Sequence, residues 1–266
     1  MITSTGNAKV REIVRLKKSA KERAKRGVFL VEGLKMFREI PKGLLLEVYA
    51  SESFFSTPDG MSAQSRLLEY GIPAQTAADS VFAYLSDTRS PQGILAVVKQ
   101  LEYGMKDLVR SLLPMIVVLE NVQDPGNLGT ILRSAEAAGA SGVLLGPGCA
   151  DIYNPKVTRS TMGSIFRVPF VYTEDLKDSI LYLKGQGVRV LAAHLKGSRE
   201  LYQESCAVPL AFLIGNESRG LTDETAALAD RAVRIPMSGS VESLNAAVAA
   251  SILMFEAKRQ RSLPAV

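Results

Sequence analysis

The stretch Met115-Ile116-Val117-Val118-Leu119-Glu120-Asn121-Val122-Gln123-Asp124-Pro125-Gly126-Asn127-Leu128-Gly129 decides the fold class of this chain. The run Met115–Leu119 is apolar throughout and reads as a strand buried on both faces. Asp124-Pro125-Gly126 reads as a turn, and Leu128–Ala138 repeats apolar side chains at helical spacing. A buried strand passing through a turn into an amphipathic helix is the unit of a parallel sheet covered on both sides. The unit recurs downstream. Strands are expected at Gly142–Leu145, Arg167–Tyr172, Arg189–Ala193, Leu210–Ile214 and Ala232–Ile235. Helices are expected at Asp175–Gly185, Thr222–Ala229 and Leu244–Arg259.

Upstream, residues Gly27 to Lys99 suggest a smaller α/β unit. Its expected strands are Val28–Val31, Leu46–Ala50 and Gly93–Val98, and its expected helices Gly33–Ile40 and Ser62–Tyr70. Gln100 to Pro114 reads as a helical connector. The division expected is therefore residues 1–100, a linker over 101–113, and a larger domain over 114–266. With 47% hydrophobic and 22% charged residues, the chain of 266 residues is neither disordered nor fibrous. No apolar run approaches the roughly 20 residues that span a bilayer, so no membrane is expected. Met1 to Lys9 lacks the apolar core of a secretory signal. Cys149 and Cys206 offer no metal spacing, and a reducing cytoplasm without a metal site is the simplest expectation.

The net charge of +5 points weakly to nucleic acid. Its distribution says more, because Lys9 to Arg26 carries nine cations against Glu12 and Glu22. With Val10, Ile13, Val14 and Leu16 at helical spacing, this segment reads as one helix with a basic exposed face. Such a face is either a solvated surface or an RNA contact.

Parallel strands bring ligands to loops beyond their carboxyl ends, and three such loops stand out. In the first, Asn127 is placed to cap the helix, and Arg133 lies about two turns further in, able to meet a phosphate. The second, Gly215-Asn216-Glu217-Ser218-Arg219-Gly220-Leu221, sets a carboxylate between glycines, as if backbone were kept bare for a ligand. It is not a dinucleotide-binding glycine fingerprint. The third runs Arg234-Ile235-Pro236-Met237-Ser238-Gly239-Ser240-Val241-Glu242-Ser243-Leu244-Asn245. Ser243 is a credible N-cap for the last helix, whose Ala246, Ala247, Ala249 and Ala250 would let another backbone come close.

In order and spacing these loops resemble the motifs of the SpoU (TrmH-like) family of RNA ribose 2′-O-methyltransferases, of the SPOUT class. The matching residues are Asn121, Asn127, Gly129, Arg133, Ala135 and Gly139; then Gly215, Glu217, Gly220 and Leu221; then Ile235, Pro236, Met237, Gly239, Ser243, Leu244 and Asn245. Asn154-Pro155-Lys156, Arg159, Met162 and Gly163 resemble the family's linking segment. Ala246 departs from the β-branched residue usual after the final asparagine. Gly27 to Lys99 resembles, more weakly, a ribosomal-protein-like RNA-binding domain.

The resemblance implies an α/β fold with a mostly parallel sheet, helices on both faces and a C-terminal trefoil knot, active as a homodimer. It implies S-adenosylmethionine as cofactor, held near Leu195, Gly215, Ile235, Met237 and Leu244. Catalysis would rest on Arg133, with Asn127, Glu217, Ser243 and Asn245 orienting it and the ribose. The substrate implied is structured RNA, ribosomal rather than transfer RNA given the extra N-terminal domain. Transfer RNA, or a catalytically silent RNA-binding protein of the same fold, are the alternatives. His194 is expected to be structural.

Overall fold

The computed structural model describes residues 1–195, 197, 199–238 and 243–263, so Gly239, Ser240, Val241 and Glu242 of the third loop lie outside the described residues. The chain divides into two compact units. The first comprises Met1–Leu101 with Asp151–Phe166, the second Glu102–Ala150 with Arg167–Val266.

The first unit is built on a four-stranded sheet formed by β1 (Val28–Glu32), β2 (Leu45–Ser51), β3 (Ala74–Ala77) and β4 (Ile94–Lys99), in the order β1-β4-β2-β3. β4 pairs antiparallel with both β1 and β2, and β2 runs parallel to β3. Val10, Ile13 and Leu16 pack with Leu30, Tyr49, Phe82 and Leu95 in its core. β3 and the helix Asp79–Leu85 were not foreseen, being too short to show a period.

The basic segment is two helices, Ala8–Lys18 and Ala20–Arg26, rather than one. Ser19 ends the first with extended backbone and caps the second, its Oγ accepting from Glu22 N–H at 3.2 Å. The face is also less uniformly basic than its composition implies. Arg23 is buried at 3% exposure and donates to Leu16 O (2.7 Å) and Asp151 Oδ2 (2.5 Å). Lys17 donates to the carbonyls of Leu85 (3.0 Å) and Ser86 (2.8 Å), closing the helix Asp79–Leu85.

The segment Asp151–Phe166 is fastened to this unit from several sides. Phe29 meets Tyr153 and Phe166 with ring centroids 4.8 and 6.1 Å apart. Tyr153 Oη donates to Leu101 O and accepts from Leu101 N–H, both at 2.9 Å.

The second unit holds β5 (Met115–Leu119), β6 (Gly142–Leu145), β7 (Phe170–Tyr172), β8 (Arg189–Ala193), β9 (Arg199–Glu200), β10 (Leu210–Ile214) and β11 (Arg231–Arg234). They form one parallel sheet in the order β7-β6-β5-β10-β8-β11-β9. The strands are apolar because both faces are covered. Ile116, Val118, Ala211 and Leu213 pack with Ile180 and Leu183 of the helix Leu176–Gly185. The final helix, Ala246–Arg261, packs against β10 and against the helix Pro125–Ala138. The expected strands and helices of this unit shift at their ends, as β7 begins after Pro169 rather than at Arg167, whereas the expected helical connector is mostly not helical and keeps one short helix, Met105–Leu108.

Candidate active site

The chain runs outward from β5 through β6 to β7, returns to β8, and then fills the gap beside β5 with β10. The strand order therefore reverses between β5 and β10, and a crevice forms where loops leave such a switch point. Leu119 and Ile214 pair at the carboxyl ends of these strands. The first and second loops consequently start side by side.

Hydrogen bonds then tie the three loops together. Asp124, not Asn127, caps the helix Pro125–Ala138, accepting from Asn127 N–H at 2.7 Å. Pro125 suits the first helical position, which places the cap one residue before it. Asn127 thereby keeps its side chain for other work. Its Nδ2 donates to Glu217 Oε1 at 2.8 Å, and its Oδ1 accepts from Asn245 Nδ2 at 2.9 Å. Asn245, not Ser243, caps the final helix, its Oδ1 accepting from Ala247 and Val248 N–H. Because that oxygen must face the helix, the Asn245 amide must donate toward Asn127, which in turn must donate toward the Glu217 carboxylate. The direction of the whole relay is set by one helix terminus.

Asn216 reinforces it in a way that the motif reading passed over. Its Nδ2 donates to Asn121 O (2.9 Å) and Glu217 Oε2 (3.3 Å), while its Oδ1 accepts from Ser218 and Arg219 N–H. Glu120 supports the same corner, accepting from Thr222 N–H and Oγ1, both at 2.8 Å. Gly215 is demanded by close approach, since a Cβ there would stand 2.1 Å from Gly220 C.

Glu217, the end of this relay, lines an open cleft of about 420 Å³, a volume suited to a small-molecule ligand. Leu195, Gly215, Ile235, Met237 and Leu244, the five residues expected around a cofactor, all line it. Glu217 and Ser243 line it as well, as do His194, Arg219 and Ala249, which were not selected. Asn127 and Asn245 stand outside the lining but are tied to Glu217 by hydrogen bonds, whereas Arg133 is not joined to this network. It is exposed on the helix Pro125–Ala138, is not among the lining residues, and makes no ion pair among the described residues. Cys149 sits close behind the first loop, where burial, opposed by backbone hydrogen bonds from Val122, Asn121 and Gly146, pushes its thiol pKa up. That keeps it neutral and a poor nucleophile.

The alanine stripe is also partly accounted for. Ala246, Ala247, Ala250 and Ala257 are buried within the chain, on the helix that packs against Pro125–Ala138. Ser251 Oγ donates to Ser134 Oγ at 2.7 Å across that packing. The close backbone approach that the small residues allow is thus made at least partly inside one chain.

Comparison with known proteins agrees with this geometry. The description of the SpoU rRNA methylase family matches residues 114–255, and that of the MRM3-like substrate-binding domain matches residues 7–96. The chain is 34% identical to a 23S rRNA (guanosine(2553)-2′-O)-methyltransferase of Bacillus subtilis, over 96% of this chain and 97% of that one. An AdoMet-bound rRNA methyltransferase from Sinorhizobium meliloti superposes with a TM-score of 0.86 at 32% identity, covering 97% of each chain. The SpoU methyltransferase AviRb from Streptomyces viridochromogenes, in complex with AdoMet, superposes at 0.85 with 28% identity, over 96% of this chain and 98% of that one. With its motifs joined in one cleft and its length matched almost throughout, the chain belongs to the SpoU rRNA methylase family.

Proposed function

We propose that this protein transfers a methyl group from S-adenosylmethionine to a ribose 2′-hydroxyl of ribosomal RNA. The observation that carries the reading is the Asn245–Asn127–Glu217 relay, which joins all three loops at the rim of one cleft. The cleft suits the cofactor by its donor set, with apolar Leu195, Ile235, Met237 and Leu244 for a hydrophobic body and polar groups at Glu217, Ser218 and Ser243. When bound, the sulfonium supplies an activated methyl group.

The chain's own residues supply the rest. Alignment of the methyl group and the ribose oxygen supplies much of the acceleration. The relay fixes Asn127 and Glu217 so that they orient the ribose, with Ser243 beside them. Arg133 is read as a cation that steers phosphate and stabilises developing negative charge on the ribose oxygen. An electrostatic role suits it better than that of a general base, because a guanidinium offers donors only and no acceptor for a proton. Its exposed position fits contact with a ligand or chain from outside the cleft.

Residues 1–100, together with Asp151–Phe166 that packs with them, are read as the RNA-binding domain, and the rest of 114–266, with 101–113 leading into it, as the methyltransferase domain. The C-terminal segment is read as a trefoil knot. A homodimer in the cytoplasm is the working assembly proposed, and the two free cysteines suit a reducing compartment. The test is methyl transfer from radiolabelled S-adenosylmethionine to ribosomal RNA prepared from cells lacking this protein. Incorporation at a single alkali-resistant ribose supports the proposal. No incorporation into ribosomal RNA by folded, cofactor-binding protein overturns it.

A further inference from the structure

A second cleft, of about 340 Å³, opens wholly within the first unit and shares no residue with the methyl-transfer loops. Gly33, Lys35, Met36, Gln92, Arg159 and Met162 form its working lining. Its walls are fixed from inside. The Glu32 carboxylate, at the end of β1, accepts from Ser86 Oγ, from Thr88 Oγ1 at 2.8 Å and from Asp87 N–H at 3.0 Å. That lashes the loop over 86–88 to the sheet and uses the carboxylate fully.

Gln92 is oriented in the same way. Its Oε1 accepts from Leu34 N–H at 2.9 Å, so its NH₂ group remains as a donor on the cleft's edge. Gly33 makes room for this arrangement, because its φ is +94° and a Cβ would stand 2.8 Å from Gln92 Oε1. Met162 holds a φ of 51°, a conformation that costs free energy in any residue but glycine. Here that backbone carries a flexible thioether into the lining, which the mostly buried Met36 also joins.

Charge completes the description. Arg159 is held by Asp87 at 3.0 Å, which leaves most of its guanidinium donors for another partner. Lys35 is exposed and has no ion-pair partner among the described residues. Two thioethers suit the face of a flat ring, the Gln92 amide suits its edge, and two cations suit an attached anion. We infer that this cleft holds one unstacked nucleotide of the RNA substrate, with its base against Met36 and Met162 and its phosphate beside Lys35 and Arg159. The inference rests on the RNA reading above and adds a second point of recognition, away from the reacting ribose.

The test uses the full chain and large-subunit ribosomal RNA transcribed in vitro. Met162→Gly removes one ring contact while giving the backbone the residue that its φ favours, so the melting temperature should hold or rise. Its affinity in filter binding should fall roughly tenfold, as for the loss of a stacked base. Lys35→Gln should weaken binding and lower the slope of log affinity against log salt by about one. S-adenosylmethionine affinity by calorimetry should not change in either variant. With 4-thiouridine in the transcript, photo-crosslinks should map to peptides carrying residues 33–36, 90–92 or 159–162. Variants that bind with wild-type affinity and slope, or crosslinks wholly elsewhere, overturn the inference and leave the cleft to some other ligand. Wild-type protein that binds no ribosomal RNA would instead sink the RNA reading itself.

Discussion

At the scale of single residues, the relay makes a claim that separates stability from chemistry. Asn245 caps a helix with its oxygen and serves Asn127 with its amide nitrogen. Asn245→Asp keeps an acceptor for Ala247 and Val248 N–H, and a carboxylate is welcome at a helix N-terminus. The same change deletes the donor to Asn127. Thermal melting should therefore stay near wild type while methyl transfer falls at least tenfold, whereas Asn245→Ala should also cost about 1 kcal/mol of stability. Wild-type turnover in the aspartate variant would show the relay to be ornamental. Arg133→Ala is the complementary case. The side chain is exposed, so folding and cofactor affinity should be kept, yet single-turnover transfer should drop on the order of a hundredfold. Arg133→Lys should rescue only partly, since an ammonium lacks the planar fork. Cys206 gives a pH prediction. Burial first, then the Glu256 and Glu204 charges, push its thiol up to about 11. Its folded-state pKa lies above the unfolded value near 8.5, so its contribution is intact below that value and is lost as pH rises toward 11. Urea midpoints should decline over that window, and Cys206→Ala should flatten the decline.

At the scale of elements, the basic helices show how far composition can be trusted. Arg11, Arg15, Lys18, Lys21 and Lys25 are exposed, but Arg23 is the buried partner of Asp151, which lies 128 residues further along the chain. Arg23→Gln should cost about 2–3 kcal/mol, less than breaking a fully buried pair because Asp151 is 31% exposed. Replacing Lys18, Lys21 and Lys25 by glutamine should leave melting unchanged and flatten the salt dependence of RNA binding by about one per lost contact. An unchanged slope would return these lysines to plain solvation. The contrast marks what the sequence could show. Strands such as Met115–Leu119 and Leu210–Ile214 were legible because two-sided burial writes an unbroken apolar run. The cleft-lining residues were legible because their motifs recur in order. The caps were misplaced by a few residues, at Asn127 for Asp124 and Ser243 for Asn245, because several polar residues near each start could serve. The attachment of Asp151–Phe166 to the first unit was not legible at all. It rests on Arg23, Asp87 and Leu101, partners that no local pattern ties to that segment.

At the scale of the whole molecule, the proposed homodimer must use a surface that the chain does not cover itself. The alanines of the final helix do not all supply it, because Ala246, Ala247, Ala250 and Ala257 are buried in the single chain. On the same helix Val248 and Phe255 remain 47% and 45% exposed, with Ile252 half-buried between them. Spacings of four and three residues place the three on one side of the helix. An apolar stripe left in water on an otherwise packed helix is where a second copy of the chain would gain most by burial. Two substitutions should therefore part company. Ala250→Leu overpacks the interior and should lower stability by about 1–3 kcal/mol in monomer and dimer alike. Phe255→Glu leaves the interior untouched and sets a charge in the stripe. It should keep circular dichroism and S-adenosylmethionine binding while halving the mass measured by light scattering at micromolar concentration. A wild-type protein that is monomeric at that concentration would remove the dimer. A Phe255→Glu protein that stays dimeric would move the interface to another face of the molecule.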